Sequence, residues 1–176
     1  MSFRRAPLPL AMVAALFPTA SMAQMDHGQP QCAAGAELPA PLASWRSPTP
    51  MRAAADAKAA ARTTLTPGQA VTLTLRQTPT VSYPVRPAKP GGSVSYGGLA
   101  SFTVAQSGTW RVALGSGAWV DVVKDGKAAE SVAHGHGPNC SGIRKMVDYS
   151  LHPGRYTLQI AASGEERLTL LVTPSP

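Results

Sequence analysis

Residues 99–126 read LASFTVAQSGTWRVALGSGAWVDVVKDG, and the pattern of that stretch decides the fold class. Leu99 to Val104, Trp110 to Leu114 and Ala118 to Lys124 are short runs of aliphatic, aromatic and β-branched residues. Gln106-Ser107-Gly108 and Gly115-Ser116-Gly117 separate them. Runs of this length between glycine-bearing turns are strands rather than helices. Asp125-Gly126 ends the stretch with a dipeptide suited to a two-residue hairpin, because both positions tolerate positive φ.

The same texture continues outward. Upstream, Val71, Leu73 and Leu75 alternate with Thr72, Thr74 and Arg76, the mark of a half-buried strand. Val81-Ser82-Tyr83-Pro84-Val85 is strand-like, and Pro84 confines it to an edge. Downstream, Lys127 to Ala133 returns from the hairpin, and Ile143 to Ser150 follows a glycine-rich loop. Tyr156, Leu158 and Ile160 then alternate after Pro153-Gly154, and Arg167 to Val172 follows Ser163-Gly164-Glu165. About eight or nine short strands result, and the expected fold is an all-β, antiparallel β-sandwich of jelly-roll type.

Before residue 63 the character differs. Thr49-Pro50 resembles an N-cap with proline at the first helical position, and Met51 to Arg62 is alanine-rich. Propensity predicts one short helix there. Gln24 to Thr49 has neither a two-residue nor a 3.6-residue period and is expected to be an extended arm. Trp45, within it, should dock on the domain to hide its ring. Arg4 and Arg5, the apolar run Leu8 to Phe17 and Ser21-Met22-Ala23 form a signal-peptide pattern, with cleavage expected after Ala23. The expected organisation is therefore a signal peptide at 1–23, an arm with a helix at 24–62 and a sandwich at 63–176. Export to the periplasm or beyond follows, with no transmembrane segment in the mature chain.

The formal net charge of +7 falls by two when Arg4 and Arg5 are removed, and the remaining basic residues are dispersed. No basic stripe with interleaved aromatics is present, so nucleic acid is not the expected partner. A dispersed basic surface is compatible with a small anionic ligand or a glycan. The two cysteines, Cys32 and Cys140, are expected to pair in an oxidising compartment and staple the arm to the domain.

Three segments, Leu99 to Val104, Ser107 to Val112 and Trp119 to Val123, together with the closing Pro153-Gly154-Arg155-Tyr156-Thr157-Leu158, resemble the bacterial pre-peptidase C-terminal domain. The resemblance covers Leu99 to Val172 and implies a secreted, non-catalytic accessory module. The segment His134-Gly135-His136-Gly137-Pro138-Asn139-Cys140-Ser141-Gly142-Ile143-Arg144-Lys145 departs from that family. It is similar to a segment in short secreted chains identified as homogentisate 1,2-dioxygenases. That resemblance implies an alternative function, a small metal-dependent oxidoreductase using His134 and His136.

The residues themselves offer two sites. His134 and His136 lie on one side of an extended backbone, and with His152 or Asp148 they would form an imidazole-rich site for zinc, copper or iron. The plainer reading is a polar glycine-rich turn. Met25-Asp26-His27 would hold copper or nickel only if cleavage followed Gln24. Trp119 and Asp121 share one strand face, which suits a sugar ring; otherwise Trp119 belongs to the core and Asp121 pairs with Arg144 or Lys145. Asn139, Arg144 and Lys145 complete the candidate binding set. His134 and His136 are expected to face a shared volume near Arg144 or Lys145, and a close cation there would favour an anionic ligand over a metal.

Overall fold

The computed structural model describes Cys32 and residues 37–175. The signal-peptide pattern and Met25-Asp26-His27 lie outside the described residues. The strands are β1 (Thr49–Arg52), β2 (Val71–Thr74), β3 (Arg76–Gln77), β4 (Tyr96–Val104), β5 (Gly108–Leu114) and β6 (Trp119–Lys124), followed by β7 (Lys127–Ala128), β8 (Ser131–Gly135), β9 (Lys145–Leu151), β10 (Gly154–Ser163) and β11 (Arg167–Pro174). They form a six-stranded sheet, β1-β2-β11-β5-β9-β8, and a five-stranded sheet, β3-β4-β10-β6-β7. The expected β-sandwich is therefore observed. Its strand pairs are antiparallel apart from β1 with β2, which run parallel.

The two-residue period explains the core. Ala100, Phe102 and Val104 of β4 and Leu158 and Ile160 of β10 face inward, toward Trp110, Val112 and Leu114 of β5 and Leu170 and Val172 of β11. Phe102, fully buried, is the centre of a ring cluster. Its centroid lies 5.7 Å from that of Tyr156 and 6.3 Å from that of Trp110. Each such side chain removed from water contributes about 1.5–3 kcal/mol, set against the chain entropy lost on folding. Asp125 and Gly126 turn β6 into β7 with φ of 51° and 72°, the positive pair the hairpin requires.

Three expectations are corrected. The helix over 51–62 is reduced to α1 (Ala57–Ala60), capped by Asp56, whose carboxylate accepts from the Ala59 N–H at 2.8 Å. Thr49 and Pro50 belong to β1, not to a cap, and Met51 packs on the core instead of starting a helix. Parallel pairing with β2 and burial of Met51 outweigh alanine's helix preference, which is weak over so short a segment. The return from the hairpin is not one strand. β7 pairs with β6, whereas β8 pairs with β9 in the other sheet, so the chain changes sheets at Ala129-Glu130. Finally, residues 81–85 form no strand. Tyr83 instead donates its hydroxyl to Ile160 O at 2.9 Å, and burial raises its pKa to about 12. Gly97 makes this approach possible, since a Cβ there would meet the Tyr83 hydroxyl.

The arm docks as expected, and by a definite device. A 3-10 turn spans Ala40–Arg46, and its three-residue repeat puts Leu42 and Trp45 on one side. With Leu38 they bury against Ala113, Leu171 and Ile143. Ala113 and Leu171 are register partners, and their neighbours in the chain belong to the main core, so the arm covers the outward face of the six-stranded sheet. Cys32 is bonded to Cys140, as the cysteine count implied, with their Cα atoms 5.2 Å apart. Among the described residues no helix is long and apolar enough to cross a membrane.

Candidate functional site

The site begins with β6. Val120 and Val122 enter the core, so strand alternation sends Trp119 and Asp121 to the opposite face. The Trp119 indole Nε1–H donates to Asp121 Oδ1 at 2.9 Å. Asp121 is the register partner of Gln159 on β10, and Gln159 Nε2 donates to Asp121 Oδ2 at 3.1 Å. Gln159 is wholly buried. Its Oε1 accepts from the Val85 N–H and its Nε2 donates to Val85 O, both at 3.1 Å. One amide side chain thus takes the place of a neighbouring strand, tying the 81–92 loop to the sheet and orienting Asp121.

That loop brings Lys89 to Trp119. Lys89 Nζ lies 5.7 Å from the indole centroid, and Lys145 Nζ, from β9, lies 5.5 Å from it. Both distances are within cation–π range. Lys145 also donates to Ala118 O at 3.0 Å. Its pKa is lowered, first by burial and then by the Lys89 charge, with Asp121 acting in the opposite direction. Tyr149 donates its hydroxyl to Val120 O at 3.1 Å, and its pKa is pushed up by burial and by Asp121.

These groups wall a cleft of about 480 Å3 drawn from both sheets. Lys89, Trp119, Asp121, His134, Lys145 and Tyr149 line it, within the size range of small-molecule sites. Four of the residues expected from the sequence therefore meet: Trp119, Asp121, His134 and Lys145. Trp119 and Asp121 do share a face, but the cross-strand partner of the aspartate is Gln159 rather than Arg144 or Lys145.

The other candidates lie elsewhere. Arg144 is exposed, and its carbonyl oxygen is 2.8 Å from His136 Nδ1. His136 therefore does not share the cleft with His134. Asn139 is exposed in the disulfide loop. His152 stands at the β9–β10 corner, its Nδ1 3.2 Å from Ser107 Oγ and its backbone bonded to the Tyr156 hydroxyl. Asp148 forms a two-point ion pair with Arg111, at 2.8 and 2.7 Å. Among the described residues no group of three His, Cys, Asp or Glu is placed to hold a metal ion.

The loop between His134 and Lys145 is pinned at Cys140 and at Ile143, which is buried beside Trp45. A Cβ on Gly137 would come within 2.4 Å of the Ile143 side chain, so this position requires glycine. The bridge closes 108 residues of sequence, worth up to about 4–5 kcal/mol in the chain-entropy account.

Sequence reasoning missed Lys89 and Gln159. Lys89 lies in a proline-flanked loop with no period. Gln159 sits in the outward phase of the Tyr156-Leu158-Ile160 alternation, which flags a polar outward position but cannot name its partners. No family model matches the chain, and no curated protein matches it.

Proposed function

We propose that the protein is a secreted or periplasmic binding or accessory module that holds an anionic ligand in the cleft at Trp119. The observation that carries this reading is the convergence of two ammonium groups from separate elements, Lys89 and Lys145, on one indole ring. Two like charges brought that close repel, and an anion between them relieves the repulsion. The disulfide agrees with an oxidising compartment, and the resemblance of Leu99 to Val172 to the pre-peptidase C-terminal domain agrees with an accessory role. An oxidoreductase built on His134 and His136 would need them to converge with a third ligand. His136 is directed to Arg144 O and His152 to Ser107, so the module reading is preferred.

The test is calorimetric titration of the wild type and of Lys89→Met and Lys145→Met with acetate, inorganic phosphate and glucuronate. The wild type should bind at least one of these anions, less tightly as salt is added. Each variant should lose about tenfold in affinity. Absence of binding for every anion would remove the reading.

A further inference from the structure

Charge alone does not specify the ligand of this cleft; the combination of its walls does. Lys89 and Lys145 supply positive charge beside the Trp119 ring. Asp121 adds a carboxylate whose two oxygens each already accept one bond, from Trp119 and Gln159. Each oxygen retains a lone pair for a further donor. Val147 and the indole supply carbon surface.

Simple ligand classes leave part of this unused. An inorganic anion would meet the lysines but be repelled by Asp121 and gain nothing from the apolar wall. A neutral sugar would satisfy Asp121 but leave two ammonium groups offset by that single carboxylate. An amino acid would bring a third cation beside the two lysines, with Asp121 alone to offset it. A ring bearing a carboxylate, hydroxyl donors and C–H faces uses all three kinds of wall.

We infer that the cleft takes a sugar acid, a hexuronate unit whose carboxylate meets Lys89 and Lys145 while a hydroxyl donates to Asp121 and its C–H face lies along the apolar wall. This rests on the anion-binding reading above and narrows it. The same chemistry comes from two sources, a free sugar acid or a residue of an acidic polysaccharide. The cleft volume of about 480 Å3 has room for one such ring.

The experiment is calorimetric titration of the full chain with glucuronate, a glucuronate oligomer, glucose and inorganic phosphate at matched ionic strength. Glucuronate should bind at least ~10-fold more tightly than glucose or phosphate, a difference of about 1.4 kcal/mol. An oligomer that outbinds the monomer assigns the site to a polysaccharide, and equal affinity assigns it to the free acid. Asp121→Asn should weaken glucuronate and strengthen phosphate, because it removes the hydroxyl acceptor's charge and the repulsion together. A purely structural role for Asp121 would move both ligands the same way, which would overturn the inference. Lys89→Met, on a surface loop, checks the charge contribution in a variant that should unfold no earlier than the wild type, since it relieves the repulsion on Lys145. Phosphate binding as tightly as glucuronate would refute the sugar acid while leaving anion binding intact; no binding by any anion would refute both.

Discussion

Each sheet of the sandwich has an outward face, and the two are finished in opposite ways. On the six-stranded sheet the central register pair is Ala113 with Leu171, and the arm closes it with Leu42 and Trp45. On the five-stranded sheet the pair β10–β6 carries Gln159 with Asp121, and the 81–92 loop closes it through hydrogen bonds to Val85. The first closure is apolar, non-directional and reinforced by a covalent bridge. The second depends on bond geometry and delivers a lysine to an aromatic ring. Apolar cover stabilises without specifying much, whereas a satisfied polar network fixes positions, and losing one member leaves its partners unsatisfied. The molecule therefore closes one face with apolar cover and the other with a directional polar network.

The largest effect should come from the apolar face. Trp45→Ala should cost about 3–5 kcal/mol, the usual range for a buried tryptophan, measured by urea unfolding with the disulfide intact. Glucuronate affinity should stay unchanged, since effects at separated sites are close to independent. A matching loss of affinity would show that the arm also supports the cleft, through Ile143 and the loop that ends at Lys145, and the division between the faces would fail.

Gln159→Leu probes the polar face and should cost less, about 1–3 kcal/mol, because it leaves the Val85 N–H and one oxygen of Asp121 without their partner. Its signature is local. The Val85 amide should exchange with solvent faster while amides of β5 and β11 keep their protection, as read by NMR hydrogen exchange. Unchanged exchange at Val85 would mean that the loop is held by other contacts, with Tyr83 and its bond to Ile160 O as the first alternative.

The same contrast explains what the sequence could reveal. Alternation named the inward residues of β2 and β10, and Asp125-Gly126 named a hairpin, because these depend on near neighbours in the chain. Trp45 announced its own docking, since a large ring in a period-free arm has to be covered. β1 was hidden because Met51 sits beside an alanine-rich run whose local preference is helical, and only its distant partner β2 decides otherwise. The site was half legible for the same reason. Trp119 and Asp121 are two residues apart on one strand, so their shared face follows from the pleat. Lys89, Gln159 and Lys145 reach them through tertiary contacts from a loop and two other strands, which no local period encodes. His134, His136 and His152 looked like one set in the sequence and are separated by β8 ending at Gly135 and by the β9–β10 corner.

The smallest effect on stability, and the sharpest on electrostatics, should come from Lys145. Burial and the nearby charge of Lys89 disfavour its ammonium form in the folded protein, so its pKa lies below the ordinary value of 10.5. In the unfolded chain neither influence acts. At pH below the folded pKa both states carry the proton, and the folded state bears the full electrostatic penalty. As pH rises from there toward 10.5 the folded protein gives up its proton first, the unfolded state binds more protons, and stability increases. The wild type should therefore gain stability relative to Lys145→Met through this alkaline window, read as the difference between paired thermal unfolding curves across pH. Glucuronate should move the start of the window toward higher pH, because an anion beside the ammonium raises its pKa. A difference that stays flat with pH would mean that solvent already relieves the two lysines, and the polar face would lose the electrostatic tension that distinguishes it from the arm-covered face.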